Sequence, residues 1–105
     1  MIGAGAAGLG VAVELRRRGI DDVMVLERAG VVASSWRGRY DGLCLNTARR
    51  LSGIPREPIS PDAGTWPSRE AFISYLEGVA ERNRLDVRLG VAVERIDRGD
   101  GHWTF

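Results

Sequence analysis

The first ten residues, MIGAGAAGLG, constrain this chain more than any other stretch. Gly3, Gly5 and Gly8 form G-x-G-x-x-G, and the Ala-rich run that follows has the pattern of a helix. A strand, a tight glycine turn and a helix in that order make the dinucleotide-binding fingerprint. Gly3 allows the sharp turn, Gly5 removes the Cβ that would block a pyrophosphate, and Gly8 lets helix and strand pack closely. The helix start supplies unpaired N–H groups and a positive dipole end, which favour an anion. With 14 glycines in 105 residues the pattern alone arises easily by chance, so its context has to support it.

That context follows at once. Apolar positions recur at three- and four-residue spacing from Ala6 to Arg18, predicting an amphipathic helix. Arg16, Arg17 and Arg18 oppose the negative dipole end, and Gly19 stands at the expected C′ position. The arginines read as a solvated helix end rather than a phosphate patch. Val23–Leu26 is a continuous apolar run, as expected of a strand covered on both faces of a parallel sheet. The three segments make one right-handed βαβ unit. Glu27 closes the second strand about 20 residues after Gly8, where an acid accepts hydrogen bonds from a ribose diol and repels a 2′-phosphate.

Residues 28–67 hold no long periodic element, and forty residues of plain loop are unusual in a compact domain. They read as ligand-covering structure: a short helix at Ser34–Arg37, a short strand at Leu43–Leu45, and an extended segment set by Pro55, Pro58, Pro61 and Pro67. Ser68 is an N-cap candidate for a helix whose face carries Phe72, Tyr75, Leu76, Val79 and Ala80, aromatics read as core. Leu85–Leu89 predicts another parallel strand. Val91–Asp97 alternates, Arg98–Gly101 turns, and His102–Phe105 starts a return strand, with His102 a solvent-facing turn residue. The resulting fold class is α/β and Rossmann-like, a parallel sheet with antiparallel strands at its end, in one domain over residues 1–105.

Composition narrows the function classes. The net charge of +1 gives no argument for nucleic acid or an anionic membrane. All 15 basic residues are arginine, which removes Schiff-base and P-loop lysine chemistry within this stretch. Cys44 stands alone, without a disulfide, C-x-x-C or cysteine-zinc partner, and is expected to be a small buried apolar residue. No apolar run reaches membrane-spanning length, and no leader precedes the glycines, so a cytoplasmic protein is expected. A buried parallel strand usually needs about five or six residues, yet only Met1 and Ile2 precede Gly3. Trp103-Thr104-Phe105 also ends abruptly, so a domain trimmed at both ends is expected.

The run Ser35-Trp36-Arg37, Tyr40-Asp41-Gly42-Leu43 and Leu45-Asn46-Thr47, followed by Trp66-Pro67-Ser68, adds a further layer. Together with the glycine fingerprint and Glu27 it resembles the N-terminal part of class B flavin-dependent monooxygenases, the flavin-containing and Baeyer–Villiger enzymes. The resemblance implies FAD on this unit, reduction by NADPH bound mostly elsewhere, and transfer of one oxygen atom from O2 to a small organic substrate. It implies that Gly3, Gly5 and Gly8, with the Ala6 and Ala7 amides, hold the pyrophosphate. Glu27 would bind the ribose, Arg28 would lie along the adenosine, and Val93 would meet the adenine. Ser35, Trp36 and Arg37 would wrap the flavin half, and Asn46 would be the catalytic amide near flavin and nicotinamide. Many family members have Gly-Gly where this chain has Ala33-Ser34, which removes backbone freedom there. Substituting Glu27 is expected to weaken FAD retention with the fold largely intact. Two other readings stay open: a non-catalytic dinucleotide-binding module or remnant, and another FAD- or NAD(P)-dependent oxidoreductase of the same fold.

Overall fold

The computed structural model describes residues 1–105. Its order is α1 (Ala6–Arg17), β1 (Met24–Glu27), α2 (Ser34–Arg37), α3 (Arg49–Ser52), a 3-10 turn (Pro61–Ala63), α4 (Arg69–Arg82), β2 (Asp86–Leu89), β3 (Asp97–Arg98) and β4 (Trp103–Thr104). β1 pairs in parallel with β2, from Met24 opposite Asp86 to Glu27 opposite Leu89. On its other side β1 meets the chain start, where Ile2 bridges Leu26 in parallel. β3 and β4 form a separate antiparallel hairpin. The order of parallel segments is therefore chain start, β1, β2, the Rossmann-like α/β arrangement that the sequence predicts.

The helices end as their sequences dictate. At the end of α1, Gly19 N–H donates to Arg16 O and Ile20 N–H to Leu15 O, both at 3.0 Å, which is a Schellman closure. α4 begins where Ser68 accepts the Ala71 N–H at 3.1 Å. It ends in the same closure, but Arg84, at φ +48°, takes the left-handed place usually given to glycine. Leu9, Ala12 and Val13 of α1, Val23 and Val25, and Phe72, Leu76 and Val79 of α4 make one core. Each fully buried aliphatic side chain there contributes about 1.5–3 kcal/mol. The aromatics are core, as expected, with Phe72 stacked on Tyr75 at 5.6 Å.

Within the 28–67 segment, residues 54–57 bond to α1 and α4. The buried Glu57 carboxylate accepts from Arg17 at 3.0 Å, Asn83 at 2.8 Å and Arg82 at 3.3 Å. Tyr75 OH donates to Glu57 O and accepts the Ile54 N–H at 2.8 Å, so one hydroxyl closes the Ile54–Glu57 turn. Burial pushes the Tyr75 phenol above its ordinary pKa.

Three expectations are corrected. Cys44 is exposed, not buried. Leu45 N–H donates to Pro67 O at 2.9 Å and Arg69 N–H to Leu43 O at 2.8 Å, an antiparallel pairing whose alternation turns Leu45 inward and Cys44 outward. That pairing is only a bridge between Cys44 and Ser68, shorter than the strand expected at Leu43–Leu45. The alternating run from Val91 pairs in a ladder only at Asp97–Arg98, and residues 91–96 form no strand. No helix is long and apolar enough to cross a membrane.

Candidate nucleotide site

The glycine loop joins the chain start to α1. Gly3 has φ +94°, a left-handed conformation that favours glycine, and its N–H donates to Leu26 O at 2.7 Å. A Cβ on Gly8 would lie 1.9 Å from Gly3 O, so helix and turn touch backbone to backbone. A Cβ on Gly5 would meet nothing within 4 Å, which leaves open space on the side a ligand would approach. Gly5 is also the N-cap of α1, with no side-chain cap and no acid in the first turn. The first bond to this end of the helix is Leu9 N–H to Gly5 O at 3.0 Å. The amides of Ala6, Ala7 and Gly8 thus keep their donors, and the dipole end keeps its positive potential. These observations fit a pyrophosphate at this turn.

Glu27 lies at the end of β1 and is only 7% exposed. Its Oε2 accepts the Ala4 N–H and its Oε1 the Ala29 N–H, each at 2.8 Å. These amide bonds, from Ala29 first and Ala4 second, hold the carboxyl below its ordinary pKa, so it is an anion at neutral pH. Each oxygen keeps a further lone pair for a hydroxyl donor. Ala4 is fully buried, and its carbonyl accepts the Ala33 N–H at 3.0 Å. One residue therefore ties the glycine loop to both the acid and the start of α2. Ala33 stands at φ +59°, so the position where many flavin monooxygenases have glycine keeps glycine's conformation here. That costs alanine about 1 kcal/mol.

Around these groups lies a cavity of 510 Å³. Gly3, Gly5, Glu27, Arg28, Ser35 and Val93 all line it, so residues from four separate stretches meet around one space. The far wall is held by Val91 N–H donating to Glu27 O at 2.9 Å and Gly90 N–H to Ala29 O at 3.0 Å. Ser34 also lines the cavity, and sequence reasoning passed over it. Its signal was its place at the start of the short helix before Trp36. Ala6, Ala7 and Gly8 follow the loop without lining the cavity, and three further expected site residues stand apart from it. Trp36 packs edge-on against Phe72, with ring centroids 4.7 Å apart, and Arg37 pairs with Glu77 and Val32 O. Asn46 is exposed and outside this lining.

A glycine turn, an uncapped helix and an acid at the end of the adjoining parallel strand define a dinucleotide-binding α/β unit. The whole chain, residues 1–105, matches the family described as pyridine nucleotide-disulphide oxidoreductase, and it belongs to that family. It is 42% identical to indole-3-pyruvate monooxygenase YUCCA4 of Oryza sativa subsp. japonica, over 100% of this chain and 24% of the relative. Among solved structures, a flavin monooxygenase from Stenotrophomonas maltophilia (a Q193R H194T mutant) superposes with TM-score 0.88 at 25% identity, over 97% of this chain and 30% of that one. S-allyl-L-cysteine S-oxygenase from Allium sativum follows at TM-score 0.84 and 27% identity, again over 97% of this chain and 30% of that one. The resemblance to class B flavin monooxygenases therefore holds. The chain spans about a quarter of the length of the curated relatives it matches.

Proposed function

We propose that this chain is the FAD-binding portion of an NADPH-dependent flavin monooxygenase acting on a small organic substrate. The observation that carries the reading is the single cavity in which the glycine loop, Glu27, Arg28, Ser35 and Val93 converge. Gly3, Gly5 and the Ala6 and Ala7 amides bind the pyrophosphate, with Gly8 setting the helix against the turn. Glu27 accepts from the ribose hydroxyls, while Arg28 and Val93 bound the adenosine side. Ser35 faces the flavin half, and Trp36 and Arg37 act from behind by anchoring α2 on α4. Asn46 serves as the amide beside the flavin and nicotinamide. When bound, the flavin supplies the redox and oxygen chemistry. The relatives named monooxygenases support that chemistry, and the one cysteine offers no dithiol pair within this stretch for the disulfide chemistry in the family's description. A cytoplasmic setting belongs to the same reading.

Titration of the purified chain with FAD and with ADP tests it. Saturable binding of both, lost in Gly5→Ala, is expected. Absence of any binding by either ligand ends the reading. For the complete polypeptide, the measurement is substrate-dependent O2 uptake with NADPH.

A further inference from the structure

A second cavity lies between α4 and the segment that leads from Glu57 to Ala63. Its volume is 400 Å³, and it shares no lining residue with the nucleotide cavity. Ile59, Ala63, Ala71 and the Tyr75 ring give it an apolar floor, and Ser74 stands at its exposed rim. The lining follows α4 as far as Arg82, where the Glu57 carboxylate joins it and makes that end polar. A concave, largely apolar space of this size with a few convergent polar groups has the form of a small-molecule site.

A glycine seats the guanidinium at the polar end. A Cβ on Gly78 would lie 2.6 Å from Arg82 Nη1, so the Arg82 side chain folds back one turn against bare helix backbone. Glycine inside a helix is destabilising relative to alanine, yet Gly78 stands well within the 14 residues of α4. Arg82 makes one side-chain hydrogen bond within the chain, from Nη2 to Glu57 Oε2 at 3.3 Å, and stays 56% exposed. Its remaining N–H groups are open to a ligand. The charge of Glu57 is already met, because Arg17 and Asn83 donate to its Oε1 at 3.0 and 2.8 Å. Two guanidiniums on one carboxylate leave a positive charge in excess at this end of the cavity.

We propose that this cavity binds a small monocarboxylate with an apolar tail. The carboxylate takes the free side of the Arg82 fork, the pairing that guanidinium geometry favours. One excess charge suits a monoanion better than a phosphate dianion, which the neighbouring Glu57 would repel. The tail lies along α4 over Tyr75 and Ala71, against Ile59 and Ala63. Nucleotide binding at the glycine loop uses separate residues, so either site holds without the other.

Sodium octanoate is the probe, titrated into the 105-residue chain and followed by calorimetry and backbone-amide NMR. Saturable binding is expected with a Kd of about 1 mM or tighter, a modest affinity for about ten heavy atoms. The largest shifts should fall at Ala71, Ser74, Tyr75 and Arg82. Octylammonium, the same tail with the opposite charge, should bind at least about tenfold more weakly. Arg82→Gln should weaken octanoate binding by at least about tenfold, the loss of one charge-assisted pair. Gly78→Ala separates binding from folding. Its methyl displaces the guanidinium while alanine favours the helix, so affinity should fall with Tm unchanged or raised. Ser74→Trp, at an exposed position outside the Glu57 network, should block the rim and abolish binding. ADP affinity should be the same in all three variants. No saturable octanoate binding overturns the site. Equal binding of octylammonium overturns the role of Arg82, and binding indifferent to the three variants puts the ligand elsewhere and overturns the site as well. Should Arg82→Gln unfold the chain, or Gly78→Ala lower Tm, Ser74→Trp decides: octanoate binding retained there overturns the site. A parent chain that binds octanoate but neither ADP nor FAD ends the nucleotide function and leaves this site standing.

Discussion

Replacing Glu27 with glutamine separates two roles of one carboxylate. The oxygens hold the Ala4 and Ala29 amides at 2.8 Å from a side chain only 7% exposed. Hydrogen bonds to a charged group are worth about 1.5–3 kcal/mol each, and a buried donor left unpaired costs about 1–3 kcal/mol. Glutamine keeps one acceptor and turns its NH2 toward the second N–H, so Glu27→Gln should lose on the order of 3 kcal/mol. That corresponds to a fall in Tm of roughly 15 °C for a domain of this size. This revises the expectation that the fold would survive the change largely intact. The pH dependence gives an independent check. The folded carboxyl has a lowered pKa, so its stabilisation is complete above the ordinary glutamate value of about 4.3. It is lost as pH falls through the lowered folded value. Urea unfolding from pH 7 to pH 3 should therefore show a constant gap between the two proteins above about pH 5, narrowing below it. ADP affinity, measured well below the variant's Tm, should also fall at least tenfold. A variant as stable as the parent, or a gap that does not narrow in acid, refutes the reasoning.

Gly5→Ala and Gly8→Ala should part company. The first meets open space and should leave urea stability within about 1 kcal/mol while ADP binding is lost. The second drives a methyl into Gly3 O and should cost at least about 3 kcal/mol. Arg84→Gly should raise Tm by a few degrees, because it relieves the left-handed strain at the end of α4. Glu57→Ala should cost about 2–3 kcal/mol in urea unfolding, since Arg17, Arg82 and Asn83 all lose the same acceptor and Arg82 is partly solvated. In the complete polypeptide, Asn46→Ala should increase peroxide release relative to product while FAD content stays near normal. Unchanged coupling removes Asn46 from the site.

What was legible in the sequence was local. α1, β1, α4 and β2 follow from periodicity, from Ser68 and Gly19, and from the Val-rich runs. The Ser34–Arg37 helix was also found as expected. The Arg49–Ser52 helix escaped because it is one turn long and starts at Ala48 without a side-chain cap. Cys44 was misplaced because its direction depends on pairing with Pro67–Arg69, a partner that no local pattern announces. The Arg17–Glu57 bond and the Ile54–Tyr75–Glu57 bridge are tertiary in the same sense. In the site, the places of Gly3, Gly5 and Glu27 follow from spacing within and after the glycine motif, whereas Arg28 comes only with the family resemblance. The link from Ala4 to Ala33 was hidden, because it uses only backbone atoms and a left-handed alanine.

The β1–β2 pairing has a consequence in time. Met24 opposes Asp86, so the parallel ladder joins residues about sixty positions apart. During synthesis at about 5–20 residues per second, β1 would emerge roughly 3–12 s before its partner. Through that interval the edge of β1 that later receives β2 stands open, and Glu27 lacks the Gly90–Val91 segment that closes its side of the cavity. The cavity beside Glu27 is thus a late product of folding, closed only after the Gly90–Val91 segment has appeared.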